Sequence, residues 1–203
     1  MISEKGKRIL FVYTSFSTFV AQDYEILAAQ NKVDKFQFEL SKKASTFAWQ
    51  FIRQFVHLLI FGWKYDVFFI WFADYHSLLP VVFAKITGKR SLLVIGGYDL
   101  NCLPEFKYGA LNNKFRAFFS KGSFKHATIN LPVAISLKNK LLKLYPNAQV
   151  IDLPTSQNID RFNIQSFDRE KIITTIALIS RHQTMMVKGM DRFKELAEYM
   201  PDY

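Results

Sequence analysis

Short runs of almost continuously apolar residues, separated by longer helical patterns, constrain the fold more than any other feature of the sequence. Strands covered on both faces read as unbroken apolar runs, as they do in parallel sheets. The runs are RILFVYT (8–14), YDVFFIWF (65–72), SLLVIG (91–96), HATINL (126–131) and AQVIDL (148–153). A weaker strand with clearer alternation is predicted near VDKFQFEL (33–40).

The segments between these runs have the periodicity of helices. They cover residues 17–30, 45–64, 74–88, 111–122 and 132–145. Ser17 is predicted to cap the first helix, and Pro132 to lie near the first turn of the last. In the fourth helix, the spacing predicts one core-facing side made of Leu111, Phe115, Phe118 and Phe119. The alternation predicts an α/β protein with a Rossmann-like, doubly wound parallel sheet.

The pattern of strand and helix restarts near residue 160. KIITTIALIS (171–180) predicts a new buried strand, and KGMDRFKELAEYM (188–200) predicts a new helix. Because one β-α unit does not form a sheet by itself, we expect two domains of unequal size. Residues 1–160 are predicted to form the first domain, and residues 161–203 a truncated β-α stub of the second.

The charge of the chain favours anionic partners. The formal net charge is +10, and residues 106–145 contain eight Lys and Arg but no Asp or Glu. Such a field attracts lipid head groups, sugar nucleotides or nucleic acid, although a solvated basic face without a partner has the same composition. The single cysteine, Cys102, excludes an intramolecular disulfide and fits a cytoplasmic location. No run reaches the ~18 apolar residues of a membrane-spanning helix.

Polar residues follow several of the predicted strands. Gly96 and Gly97 precede Tyr98 and Asp99 after one strand, and Thr14 and Ser15, and Asp74 and His76, follow two others. In open α/β sheets ligands bind outside the carboxyl ends of the strands, so these residues predict a cleft. For any one of them alone, a tight turn, a capping carboxylate or a buried phenol explains the sequence equally well.

Four segments in order resemble a known family. They are KRILFVYTSFSTF, VIGGYDLNCLPEFKYG, LPTSQNIDRF and ISRHQTMMVKGMDRFKELAEYMPD. Together they resemble a glycosyltransferase of the GT-B fold, in the large family-four group of retaining enzymes. The resemblance covers nearly the whole chain. It implies two Rossmann-like domains with an active site between them, the first binding the acceptor and the second the sugar nucleotide.

The resemblance implies roles for individual residues. Asp99 would orient or deprotonate the acceptor hydroxyl. The residues implied in acceptor binding are Tyr98, Gly97, Asp74 and His76; those implied in donor binding are Arg181, Lys188, Gly189 and Ser15. The segment Asn158-Ile159-Asp160 would cross between the domains. A nucleotide-sugar would be the co-substrate, with no other cofactor and no metal, and a glycan or lipid-linked molecule the acceptor.

The chain also departs from the family pattern. TSFSTF (14–19) replaces a glycine-rich turn, and Tyr98-Asp99 stands where many relatives have a histidine. The family's glutamate pair, which holds the donor, would lie beyond Tyr203. The expected activity is hexosyl transfer in glycan, glycolipid or polysaccharide biosynthesis, with this chain inactive alone.

Two alternatives stay open from the sequence. The segment 42–65 has basic ends and an aromatic middle, typical either of a helix at an anionic membrane surface on the inner face or of a core helix with Arg53 and His57 at its edge. A non-catalytic basic binding module is the rival function. Nucleic acid is disfavoured as its partner because the rings of 111–122 are predicted to face the core. The four histidines lack metal-ligand spacing.

Overall fold

The computed structural model describes residues 6–41, 43–155, 172–177, 179 and 182–200 of the 203-residue chain. The chain divides into two compact units, one formed by Met1–Asn101 with Gly109–Gln157 and the other by Cys102–Tyr108 with Asn158–Tyr203. The predicted domain boundary at residue 160 lies outside the described residues, so it stays a prediction.

The first unit contains a five-stranded sheet in which every pairing is parallel. Its strands are β1 (Arg8–Tyr13), β2 (Lys32–Gln37), β3 (Val67–Trp71), β4 (Arg90–Ile95) and β5 (Ile129–Pro132). The strand order is β2-β1-β3-β4-β5. The α/β class and the Rossmann-like parallel sheet predicted from the apolar runs are therefore confirmed.

The prediction of a regular strand at 148–153 is wrong. Only one isolated bridge forms there, between Asn130 and Val150. The segment still runs parallel to β5: Asn130 N donates to Gln149 O (2.9 Å), and Ile151 N donates to Asn130 O (3.0 Å). The next rung of a parallel ladder would need an N–H from Pro132, which proline lacks. One hydrogen bond of the regular ladder is therefore missing, although Leu153 N still donates to Pro132 O (3.1 Å).

Helices connect the strands. Those of the first unit are α1 (Thr18–Ala28), α2 (Ala44–Phe61), α3 (Leu78–Ile86), α4 (Lys114–His126) and α5 (Ile135–Leu144). Ser17 occupies the N-cap position of α1, but its side chain makes no capping hydrogen bond. The prediction that Pro132 lies near the first turn of the last helix is wrong, because Pro132 is the last residue of β5 and α5 begins at Ile135. Asn113 caps α4, since its Oδ1 accepts from Arg116 N (2.9 Å).

Helices cover both faces of the sheet. On one face α2, α3, α4 and α5 pack against strand residues such as Leu10, Ile70 and Leu93. On the other face α1 places Val20 against Phe11 and Phe69, whose rings are stacked. Both faces of the strands are thus buried, which explains why the sequence shows unbroken apolar runs rather than alternation.

The predicted core face of α4 is wrong. Phe115 and Phe118 are exposed, whereas the buried side chains are Ala117, Ser120, Ser123 and Phe124. Small residues are needed there because α4 packs closely on the sheet and on α3: Ser120 Oγ donates to Ala73 O (2.6 Å), and Ser123 Oγ lies 2.7 Å from Ser77 Oγ. Phenylalanine does not fit so close an approach.

The second unit contains the helices α6 (His182–Val187) and α7 (Met190–Tyr199). The helix predicted at 188–200 is confirmed as α7. The prediction of a buried strand at 171–180 is wrong for the described residues. Residues 172–177 and 179 form no strand, and Ile176 is almost fully exposed. A strand is stable only beside another strand, and the described part of this unit offers none.

The loop that returns from residue 101 to α4 depends on Gly109. Gly109 has φ +107°, and a Cβ there would lie 2.1 Å from the backbone oxygen of Asn101. We expect Gly109→Ala to lower the free energy of unfolding by about 3 kcal/mol, since it combines backbone strain with a clash. Urea unfolding followed by circular dichroism measures this.

Gly88 is the matched control. It also has positive φ (+67°), but a Cβ there would meet no atom within 4 Å. Gly88→Ala therefore adds backbone strain alone, about 1 kcal/mol. Equal losses in the two variants would contradict the packing seen around Gly109.

Candidate functional site

The loop after β4 is organised around Gly97. Its φ is +114°, a conformation that glycine adopts easily, and its N–H donates to Oδ1 of Asp99 (2.8 Å). Tyr98–Leu100 then form one turn of 3₁₀ helix. The Gly-Gly pair of the sequence therefore serves a tight turn that returns a carboxylate to its own backbone.

Asp99 connects this loop to the one after β3. Its Oδ2 accepts from the backbone N–H of Ala73 (3.1 Å), and the side chain is 1% exposed. Burial raises the pKa of Asp99 to about 6, against the opposing effect of the N–H groups of Ala73 and Gly97. The carboxylate thus holds two strand ends together from inside the protein.

Arg116 joins polar groups of the two loops, one of which, Asp74, is only 8% exposed. Its Nε lies 2.8 Å from Oδ1 of Asp74, and its Nη1 donates to the hydroxyl of Tyr98 (2.7 Å). The guanidinium also lies over the rings of Tyr75 (4.9 Å) and Tyr98 (5.5 Å). We call Asp74, Tyr75, Tyr98 and Arg116 the rim cluster.

The rim cluster lies at the edge of the sheet where the carboxyl ends of β3 and β4 meet. Asp74 follows β3, Tyr98 follows β4, and Arg116 is in the first turn of α4. A guanidinium within hydrogen-bonding distance of both a carboxylate and a phenol forms a group that can bind hydroxyl or anionic groups of a ligand. This position is the usual one for ligands of open α/β sheets.

The other predicted acceptor and rim residues are placed differently. Ser15 is exposed directly beyond β1, at the same edge of the parallel sheet. His76 is fully buried, its Nε2 is 2.8 Å from Trp71 O, and burial lowers its pKa. A ligand at the surface does not reach His76, so this position does not support its predicted acceptor-binding role.

The predicted donor residues belong to the second unit. Gly189 has φ +67° and occupies the N-cap position of α7, with exposed Lys188 directly before it. Lys188 therefore lies between the end of α6, where its N–H donates to Thr184 O (3.1 Å), and the N-terminus of α7, which the sequence predicts. Arg181 and Asn158-Ile159-Asp160 lie outside the described residues.

Sequence reasoning missed Arg116 and Tyr75. The periodicity placed Arg116 opposite the predicted core face of this helix, and the predicted helix began at residue 111, three residues early. The signal was Asn113, a preferred N-cap residue, which starts α4 at Lys114. Since helices after parallel strands begin at the carboxyl edge of the sheet, that start places Arg116 beside Asp74.

A small pocket opens on the α1 side of the sheet. It has an empty volume of about 220 Å³ and is lined by Phe19, Asp23, Trp71, Val133, Leu153, Pro154 and Thr155. Trp71 Nε1 donates to Oδ2 of Asp23 (3.0 Å), and burial raises the pKa of Asp23. The pocket is smaller than the ~300–1,000 Å³ of typical ligand sites. Within the described residues no group of His, Cys, Asp or Glu is arranged to hold a metal ion.

Comparisons with known proteins give little further information. No protein-family model and no curated protein matches the chain. Among solved structures, the chain is similar to a "putative UDP-N-acetylglucosamine 2-epimerase" from Listeria monocytogenes, with 10% identity and a TM-score of 0.44. The match covers 69% of this chain and 42% of that structure. So distant a likeness carries no argument about function.

The raised pKa of Asp99 predicts a pH dependence of stability. An acid with a folded pKa of about 6 and an ordinary pKa of 3.8 stabilises the fold fully below 3.8 and loses that contribution as pH rises through 6. The stability difference between wild type and Asp99→Asn should therefore fall by roughly 1–3 kcal/mol between about pH 4 and pH 7. Urea unfolding at several pH values measures it.

Asp152→Asn is the control, because Asp152 is an exposed carboxylate paired with Lys138 on the surface. Its stability difference from wild type should not fall over the same pH range. A constant difference for Asp99→Asn would show that the buried carboxylate does not titrate there.

Proposed function

We propose that this chain contains the acceptor-binding domain of a GT-B-type glycosyltransferase, in a retaining group like family four. The rim cluster is the observation that carries the proposal. It gathers a carboxylate, a guanidinium and a phenol at the ligand-binding edge of a parallel sheet. The proposed reaction moves a hexosyl group from a nucleotide-sugar to an acceptor hydroxyl.

Acceptor binding is assigned to the exposed side of the rim cluster. The second oxygen of Asp74 can accept from a sugar hydroxyl while Arg116 holds the first. Tyr98 presents its ring and hydroxyl beside the guanidinium that it hydrogen-bonds. A few convergent polar groups beside aromatic surface are typical of sites that orient a small ligand.

Asp99 has a positioning role in this proposal. Because both of its oxygens accept backbone N–H groups, it orients the acceptor through Gly97 and Ala73 rather than by touching the hydroxyl. Gly97 keeps the turn narrow enough for Tyr98 to face Arg116. The buried carboxylate thereby sets the distance between Asp74 and Tyr98.

Donor binding is assigned to Lys188, Gly189 and Arg181, with Ser15 as a hydroxyl donor. A departing nucleoside diphosphate develops negative charge, which ammonium and guanidinium groups stabilise without a metal. Lys188 and Gly189 directly precede α7, where the helix N-terminus adds backbone N–H groups and a favourable dipole. We further propose that the 203-residue chain turns over little by itself; robust sugar transfer by it would overturn this.

Acceptor binding can be measured without turnover. On an array of glycans and glycolipids, Tyr98→Phe and Asp74→Asn should each weaken binding about tenfold, the effect of one lost hydrogen bond to a charged or polar partner. Tyr199→Phe is the matched control, since Tyr199 is an exposed tyrosine of the second unit. Binding that is unchanged in both rim variants would refute the acceptor site.

A non-catalytic basic binding module is the second candidate. Phe115 and Phe118 are exposed on α4 beside Lys114 and Lys121, so the ring positions no longer argue against stacking on nucleic-acid bases. A salt-sensitive gel shift with single-stranded oligonucleotides would favour this function. No shift at low salt would exclude it.

A further inference from the structure

Helix α2 exposes large apolar side chains, while two of its three buried side chains are polar. The buried side chains are Gln50, Gln54 and Leu58. Its outward side chains are large and apolar, with exposed fractions from 44% to 62%: Trp49, Ile52, Phe55, Val56, Leu59 and Ile60. We call these six residues the α2 outer face.

The orientation of α2 is set by specific contacts on its inner side. Gln54 Nε2 donates to the backbone oxygen of His76 (2.8 Å). Phe47 and Phe51 pack edge-on against Phe38, which is fully buried. Because these contacts turn the glutamines inward, the apolar outer face points away from the sheet.

A helix that only covered a sheet would have apolar residues inward and polar residues outward. In α2 the outward residues are apolar as well. Single exposed apolar side chains are normal, but a continuous exposed patch marks an interaction surface. The α2 outer face is such a patch, and it needs an apolar partner.

The charges around the α2 outer face indicate which partner. No acidic residue occurs between Glu39 and Asp66, while four cations do: Lys42, Lys43, Arg53 and Lys64. Lys43 immediately precedes the helix, and Lys64 follows it closely, where it is paired with Asp34 (2.8 Å). Trp49 and Trp63 are both exposed, one towards each end. Tryptophan and lysine at the ends of an apolar surface are typical of proteins at the membrane interface.

We propose that the α2 outer face docks on an anionic lipid membrane, with α2 lying in the plane of the interface. Its 18 residues give a helix about 27 Å long. The outer face would enter the boundary between head groups and acyl chains, and the lysines at the N-terminal end of α2 would meet anionic phosphates. No helix in the described part of the chain is long and apolar enough to cross a bilayer, so the contact proposed is peripheral.

Charge also argues against a second copy of the chain as the partner in a parallel arrangement. A symmetric pair buries the same surface on both molecules. Because Lys64 is already paired with Asp34 (2.8 Å), the uncompensated charge lies at the N-terminal end, at Lys42 and Lys43, and two parallel α2 helices would bring these ends together. An anionic lipid surface neutralises this end instead.

A series of ring contacts leads from the inner side of α2 to the rim cluster. Phe51 of α2 contacts Phe119 of α4 (5.4 Å between ring centroids), Phe119 contacts Phe115 (5.2 Å), and Phe115 contacts Tyr75 (5.7 Å). Provided that the proposed function holds, this continuity points to an acceptor that is itself lipid-linked. The docking proposal stands without it, and vesicle binding needs no acceptor.

Vesicle cosedimentation of the 203-residue protein tests the docking face. Phosphatidylcholine vesicles with roughly 30% phosphatidylglycerol should bind at least about tenfold more strongly than pure phosphatidylcholine, and less strongly as salt rises. The double variant Phe55→Ser/Ile60→Ser should lose about tenfold or more of this binding. Ile26→Ser is the matched control, because Ile26 is equally exposed but lies on α1, on the other side of the sheet.

Tryptophan fluorescence gives a second measurement that does not depend on sedimentation. Trp49 and Trp63 are exposed, whereas Trp71 is buried. Anionic vesicles should therefore shift the emission to shorter wavelength, and brominated lipid should quench it. Trp49→Phe should remove part of both effects. Lys43→Glu, a surface substitution that leaves the apolar face intact, should lower binding to anionic vesicles several-fold.

Three results would overturn the proposal. The first is equally low binding to neutral and anionic vesicles. The second is unchanged binding by Phe55→Ser/Ile60→Ser while circular dichroism shows both proteins folded. The third is a concentration-dependent dimer that the same double variant abolishes, with no vesicle binding, which would assign the face to a second copy.

Discussion

Parallel pairing of β1, β3 and β4 is the constraint on which the rest of the structure depends. It brings the carboxyl ends of three strands to one edge, so that loops distant in sequence become neighbours. Asp99 then connects two of these loops by accepting N–H groups from Gly97 and Ala73. Arg116 closes the arrangement from outside by pairing with Asp74 and Tyr98. The rim cluster is thus a consequence of strand direction.

Helices α2 and α4 pack on the same face of the sheet, and both leave large apolar side chains exposed. Because α4 approaches the sheet through serines and an alanine, its phenylalanines at 115 and 118 stay outside. Because α2 binds the neighbouring loop through Gln54, its tryptophan and branched aliphatic side chains also stay outside. Polar contacts to backbone oxygens therefore decide which way both helices turn, and they leave apolar surface for a partner.

Sequence patterns predicted strand positions well because burial on both faces produces unbroken apolar runs. The patterns were wrong for the segment at 148–153. Its pairing with β5 is irregular because Pro132 has no backbone N–H to donate. At the site, Asp74, Gly97, Tyr98 and Asp99 were chosen for following strands, and the structure brings them together. Arg116 was missed because the N-cap signal of Asn113 was overlooked. The burial of His76 was missed because side-chain depth depends on contacts between elements.

By itself the sequence determined the fold class, the direction of the strands and the edge at which polar residues gather, because these follow from local periodicity and from the chirality of β-α-β connections. Only the tertiary structure decided which groups touch, which face of α2 and α4 is outward, and that Asp99 is buried between two loops. Those features depend on packing between residues far apart in the chain. Periodicity describes one element at a time and does not contain that information.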